Sequence, residues 1–240
     1  MQNKIDLTIF RHGTGLLPSV SVDCVIFGFH DSQLKVLLLQ PKGSYNKMLP
    51  GGFVQLSESL NEAAQRVLQE RAGVKEIYLE QFYTFGAPNR TDDTIHKRYF
   101  NTIPIDLDEN DWILKRFVSI GYYALTDFTK VKPTPDVLSD SCDWYDVYQL
   151  SELAFDHQEM VERALKTLRS KLDSDLVGFN LLPEVFTMQD LQNLYETILN
   201  EALLRTNFQR KILNLNILER LEKKMTGAAN KAPYLYKFKK

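Results

Sequence analysis

Apolar and polar positions follow two rhythms along this chain, and the change between them divides it. Residues 21–42, SVDCVIFGFHDSQLKVLLLQPK, are rich in β-branched and aromatic side chains and break at His30–Gln33, the pattern of two strands around a tight turn. A loop, GSYNKMLPGGF at 43–53, leads to Ser59, after which LNEAAQRVLQERA at 60–72 places its apolar residues at helical spacing. Ser59 with Glu62 predicts a capping box at the start of this helix, and Gly73 predicts its stop. Strand composition returns in IYLEQFYTFG (77–86), KRYFNTIPI (97–105), FVSIGYYALTDF (117–128) and CDWYDVYQL (142–150). This order of elements predicts a mixed α/β sandwich.

From Ala154 the period becomes helical, with Met160, Ala164, Leu165 and Leu168 on one stripe that runs to Leu172. This is a hinge helix in position. Residues 173–186 carry Gly178 and Pro183 and read as a linker. Thr187 predicts the cap of a helix over 188–199, and Thr206 with Gln209 predicts a second capping box ahead of NFQRKILNLNIL. Residues 218–240 offer two short strands around a Gly/Asn/Pro turn, with Tyr234, Tyr236 and Phe238 alternating on one face. Helix, turn, helix, hairpin is the pattern of a winged helix-turn-helix. The expected division is 1–153, a hinge and linker at 154–180, and 181–240.

With 240 residues, 44% apolar and 25% charged, the chain has room for one large and one small domain. Its two cysteines, Cys24 and Cys142, lack CxxC or Cys/His spacing, which points away from disulfides and zinc and toward a reducing compartment. No run approaches the roughly 18 apolar residues that a membrane helix needs, so the expectation is a soluble, cytoplasmic protein without a membrane partner. The net charge of −2 conceals an asymmetry: residues 201–240 hold ten basic and three acidic side chains, against nineteen and twenty-eight over residues 1–200. A basic end on an acidic body points to a polyanion partner or to a solvated tail.

Gly52, Glu58, Arg66, Leu68, Glu70, Gly73 and Val74 stand at the spacing of the Nudix box, G-x5-E-x7-R-E-U-x-E-E-x-G-U with U apolar. Two box glutamates are replaced, by Val67 and Arg71. Positions 67, 70 and 71 share a helix face, where three carboxylates would gather the oxygen ligands of a hard cation such as Mg²⁺. Here that face is formally neutral, so neither a metal site nor metal-assisted hydrolysis is expected, and no cofactor is implied. Val67 and Leu68 also fit a core-facing stripe, and Glu62, Arg66 and Glu70 lie four apart as an i, i+4 ladder would. Arg71 is placed to pair with Glu70 or Glu58.

In the last helix Phe208, Ile212 and Leu215 form the buried stripe, which turns Asn207, Arg210 and Asn214 outward, the side-chain types that read base edges in a major groove. Arg205, Lys211, Lys223, Lys224 and Lys231 surround them as candidate phosphate contacts. A helical dimerisation unit fits the same spacing.

Taken together, the altered box, LAFDH at 153–157, LLPEVFT at 181–187, NFQRKIL at 207–213 and YLEQFYTFG at 78–86 resemble the Nudix-related transcriptional regulators, from about Ser19 onward. The resemblance implies a Nudix-like effector domain, a winged helix on duplex DNA with a two-fold operator, a homodimer, and repression of NAD synthesis or pentose catabolism. It places the effector near Gly52, Phe53 and Glu58, with Asp156 and His157 at the border; helix capping and packing account equally for that last pair. Gln40 and Lys42, which flank the preceding loop, are further candidates. Residues 92–115 look like an insertion, across which no contact is transferred. Because a diphosphate would approach Glu58 and Glu70 with only Arg66, Arg71 and Lys42 to offset them, a free pentose such as arabinose is favoured over ADP-ribose as effector; against this, Arg71 puts a fixed cation, a good phosphate partner, where the metal would be. The competing activities are an Mg²⁺-dependent hydrolase of nucleoside diphosphate derivatives and an RNA-binding Nudix relative.

Overall fold

The computed structural model describes residues 12–73, 77–90, 108, 110–136, 138–173, 181–224 and 232–239. The expected strand at 97–105 and most of the 92–115 segment lie outside them, as do Lys231 and residues 174–180 of the linker.

Strands β1 (Leu16–His30), β2 (Gln33–Pro41), β3 (Gly51–Gln55), β4 (Tyr78–Phe85), β5 (Val118–Asp127) and β6 (Ser139–Asp146) form one mixed sheet in the order β4-β5-β1-β2-β6, with β3 also paired to β1. β1 and β5 run parallel from Val20↔Val118 to Phe29↔Asp127, and the other pairs are antiparallel. The β1–β2 turn is where the break in pattern predicted it, with Asp31 and Ser32 both at positive φ, 49° and 56°, as a tight two-residue hairpin requires.

Side chains along β1 alternate between two cores. Val22, Cys24 and Ile26 face helix α1 (Leu60–Ala72), which contributes Ala63, Ala64, Val67 and Leu68. Val25 and Phe27 face helix α2 (His157–Lys171), where Met160, Val161, Ala164, Leu165 and Leu168 form the predicted stripe. The second core does not stop at α2. It continues into helices α3 (Met188–Leu199) and α4 (Arg205–Asn214) through Leu191, Leu194, Phe208 and Ile212, so the C-terminal unit is seated on the sheet domain through α2.

A second, three-stranded sheet, β7 (Phe186–Thr187), β9 (Tyr234–Phe238) and β8 (Leu218–Lys223), completes the winged helix. Ser59–Glu62 and Thr187–Asp190 form capping boxes on α1 and α3, each worth about 1 kcal/mol, and Gly73 ends α1 at φ 69°. Two expectations fail here. Thr206 is not a cap, because the cap position falls two residues earlier, at Leu204, with no side-chain bond. Leu215 is not part of the buried stripe: the helix ends at Asn214, which leaves Leu215 40% exposed. Among the described residues no helix is long and apolar enough to cross a membrane.

Candidate effector site and nucleic-acid interface

The Gly51–Gly52 pair that opens β3 is required by close approach on both faces. A Cβ on Gly51 would stand 2.1 Å from Asp23 Oδ1, and one on Gly52 would stand 2.8 Å from Val67 Cγ2. Immediately beyond, Arg66 closes over the loop. It donates to both carboxylate oxygens of Glu58, at 3.0 Å (Nε to Oε2) and 2.7 Å (Nη2 to Oε1), and also to the Phe53 carbonyl at 2.8 Å and to Glu70 Oε2 at 3.3 Å. Hydrogen bonding from Arg66 holds the Glu58 carboxyl below the usual range, and the same bond raises Arg66. Both surviving box carboxylates are thus engaged by a single guanidinium.

The remaining box positions lead away from metal chemistry. Val67 is 2% exposed in the α1 core, and Arg71 pairs with Asp136 at 2.5 Å rather than with Glu70 or Glu58. The predicted i, i+4 ladder is half formed, since Glu62 accepts the Ser59 backbone N–H of the cap and only Arg66 and Glu70 meet. Among the described residues no group of three His, Cys, Asp or Glu side chains could hold a metal ion. The donor set therefore does not fit the divalent cation that a Nudix hydrolase requires.

On the opposite face of the sheet, Phe53 meets Trp112 and Phe117 with ring centroids 4.8 and 5.4 Å away, and those two rings lie 4.9 Å apart. Beside them Arg90, 9% exposed, donates to both oxygens of Asp156 at 2.9 and 2.8 Å and to the Phe117 carbonyl at 3.3 Å. Asp156 occupies the cap position of α2 but makes no side-chain cap bond. His157 is buried, accepts the Leu49 N–H on Nδ1 at 2.9 Å, and stands with Nε2 3.8 Å from Asp23, which in turn accepts from the Ser119 hydroxyl. Burial lowers the imidazole pKa. Gly52, Phe53 and Glu58 are thus contiguous, and Asp156 and His157 flank them through buried networks rather than open surface. Gln40, near the end of β2, donates to the Ser44 carbonyl in the loop that follows, and Lys42 is exposed. The sequence reading missed Arg90 and Trp112, which lie outside any strand or α-helical period, and it took Phe117 only as the start of a strand.

At the other end of the molecule, α4 exposes Arg205, Asn207, Arg210 and Asn214, and the wing exposes Lys223 and Lys224. Arg210 Nη2 lies 3.4 Å from Asn207 Oδ1, which sets the two on one surface. Lys211 is turned differently: its ammonium meets Asp173, just past α2, at 2.7 Å. Arg220, also overlooked, and Lys223 lie over the Tyr234 ring at 4.5 and 5.3 Å. The two units are joined by Tyr148 and Arg169, which donate to carbonyls in the last turn of α3, and by Thr197, whose hydroxyl donates to Ser32 O. A cleft of about 500 Å³ opens along this seam beside the β1–β2 turn, lined by Ser32, Asp146, Tyr148, Glu196 and Asn200 among others.

Comparison with known proteins agrees with this division. A profile described as NUDIX domain matches residues 17–164, and one described as NrtR DNA-binding winged helix domain matches residues 178–238. The chain is 32% identical over 230 residues, 92% of its length and 82% of the relative's, to the ADPR responsive transcriptional repressor NtrR of Acinetobacter baylyi. Among solved structures, that of Shewanella oneidensis NrtR is 30% identical with a TM-score of 0.69, covering 92% of this chain and 94% of that one. The same protein complexed with a 27mer DNA matches at 28% identity, a TM-score of 0.69, and 92% and 93% coverage. With a Nudix domain over residues 17–164 and the NrtR winged helix after it, the chain belongs to the NrtR family of Nudix-related transcriptional regulators.

Proposed function

We propose that this protein is an effector-responsive DNA-binding repressor whose Nudix domain, residues 1–153, binds its ligand without hydrolysing it, and that it engages a two-fold DNA site as a homodimer through residues 181–240. The observation that carries this reading is the engagement of Glu58 and Glu70 by Arg66, on a helix whose other box positions are Val67 and Arg71. A diphosphate hydrolase needs carboxylates free to hold a cation; these hold an arginine. The polar, exposed face of α4 supports the second half of the proposal.

The effector we infer is ADP-ribose or a close nucleoside diphosphate sugar, which reverses the pentose preference. That preference took Arg66 as a partial offset only, whereas Arg66 pairs with both carboxylates. Phe53 and Trp112, half-buried and backed by Phe117, add ring surface beside Gly51–Gly52, which suits a base, a group that a free sugar lacks. The Acinetobacter relative, named as ADPR responsive, supports the same choice. Arg71 plays no part in it, being paired with Asp136.

Thermal unfolding with ligand tests the proposal. ADP-ribose at about 100 times its Kd should stabilise the protein by about 2.7 kcal/mol, while millimolar arabinose should leave it unchanged. Stabilisation by arabinose alone, or Mg²⁺-dependent turnover of ADP-ribose at about 1 s⁻¹ or faster, overturns the reading.

A further inference from the structure

We propose that Arg90 is a positioning residue that couples the β3 site to the DNA-binding helices; this rests on the chain being an effector-responsive repressor. Arg90 bridges the segment that leads into β5 and the start of α2. Its guanidinium grips Phe117, whose ring packs on Phe53, by the backbone carbonyl, and grips Asp156 through both carboxylate oxygens. Asp156 is the residue from which α2 begins.

Three features of that helix start favour transmission over simple packing. An aspartate in a cap position ordinarily bonds the helix's own free N–H groups; this one is directed to Arg90 instead, so the first turn is anchored to the Phe117 segment rather than to itself. Phe155, one residue earlier, sits at φ 57°, a left-handed conformation that a bulky residue adopts only when its surroundings enforce it. The same turn is also tied to the loop ahead of Gly51, through the Leu49 N–H on His157 and the Ala154 N–H on the Lys47 carbonyl. Both segments bordering the site therefore converge on residues 154–157.

The far end of α2 is equally committed. Arg169 donates to Ile198 O, Leu172 O accepts from the Tyr195 hydroxyl, and Asp173 pairs with Lys211 of α4. A displacement of the α2 start, carried by a packed helix, reaches the helix that bears Arg210. An apolar pair would hold two segments together at least as well as a desolvated ion pair, whereas a bidentate pair fixes orientation as well as distance.

By linkage the coupling runs both ways, so DNA at α4 must be felt at the site. The test uses the full chain and a duplex selected from random sequence by the protein itself. Hydrogen exchange is followed at the amides of residues 51–54 and 117–120. The expected result is a change in their protection on DNA binding that is lost in the Arg90→Met/Asp156→Leu double variant, with duplex affinity kept within about threefold. That variant removes both charges and so avoids leaving one buried alone. Asp156→Asn, which keeps the shape but weakens the pair, should give an intermediate change. Persistence of the change in a folded double variant, or its absence from the wild-type protein, overturns the proposal. An ADP-ribose arm separates the two readings: failure of ADP-ribose to protect the same amides in the wild-type protein counts against the effector assignment and leaves the DNA-driven result standing.

Discussion

The backbone amide of Leu49 donates to Nδ1 of His157 across 2.9 Å, joining the loop ahead of the Gly-Gly turn to the first turn of α2. An imidazole that accepts from an amide on Nδ1 must carry its proton on Nε2, the nitrogen that faces Asp23. Burial lowers the ring's pKa from its ordinary 6.5 more strongly than Asp23 and Asp156 raise it. The unfolded chain then binds the proton more readily, so the stability associated with a neutral His157 is complete above about pH 6.5 and falls as pH drops toward the folded pKa. Glu58, held low, loses its contribution only below its ordinary 4.5, which leaves the window between the two to the histidine. Urea unfolding at pH 7.5 and 5.0 should show a loss at the lower pH, and His157→Gln, whose carbonyl can still accept from Leu49, should show less of it. An equal loss in the variant would assign the dependence to another group.

Arg71→Glu brings the sequence closer to the Nudix box yet should weaken the protein. The arginine side chain is 16% exposed and its partner Asp136 14% exposed, so the substitution sets two mostly buried carboxylates against each other. Removing one partner of a buried pair costs about 3–5 kcal/mol, and partial exposure brings the expectation to about 2–4 kcal/mol. Denaturant unfolding measures it. No hydrolysis of ADP-ribose should appear, because Glu58 and Glu70 remain on Arg66; a stable, active variant would show that the helix face had been read wrongly.

At the DNA-binding end the expected effects separate by position. Arg210, exposed on α4 beside Asn207, should be a base reader, so Arg210→Ala is expected to reduce discrimination between a selected and a random duplex by about 1–3 kcal/mol. Lys224, on the wing, should contact phosphate, so Lys224→Ala should weaken both duplexes alike and lower the slope of log affinity against log salt by about one. Fluorescence anisotropy at several salt concentrations checks both. A Lys224→Ala effect confined to the selected duplex would exchange the two roles.

What the sequence showed was what short-range patterns encode. The hairpin turn at Asp31–Ser32, the caps at Ser59 and Thr187, the stop at Gly73 and the apolar stripe of α2 are each written within a few residues of where they act. The helix α4 was harder, because Leu204 and Thr206 compete for its first turn and no side-chain bond decides between them. The site itself depends on distant partners. Arg90 finds Asp156 across 66 positions, Arg71 finds Asp136, and Trp112 packs on Phe53 from within the segment that looked like an insertion. Periodicity places none of these, because each partner is chosen by the sheet that brings it near. The pentose preference loses ground for the same reason: formal charge on a helix face was legible, but the turning of Arg66 onto both carboxylates was not.

Tyr148 offers the most direct test of how the two units are held. Its hydroxyl lies 2.6 Å from Thr197 O and 2.9 Å from Ile198 O, while Arg169 donates to Ile198 O at 2.8 Å and to the Tyr148 hydroxyl at 3.2 Å. Carbonyls in the last turn of a helix have no partner inside it, so the Nudix unit supplies the C-terminal satisfaction of α3 from outside. Tyr148→Phe keeps the ring beside Arg169 and removes the hydroxyl, the donor to these carbonyls and the acceptor of the Arg169 bond. Because Tyr148 is 38% exposed, water can replace part of the lost bond, and the cost should fall near the low end for a hydrogen bond, about 0.5–1 kcal/mol. The local effect should be larger than the global one. Amides from Asn200 to Leu204, which connect α3 to α4, should exchange faster in the variant while those of β1 and β5 stay unchanged. Selected duplex should bind more weakly, since α4 is then presented in a broader range of orientations, and effector affinity without DNA should be unaltered. Unchanged exchange across residues 200–204 would mean that the shared apolar core, rather than Tyr148 and Arg169, fixes the winged helix on the sheet domain.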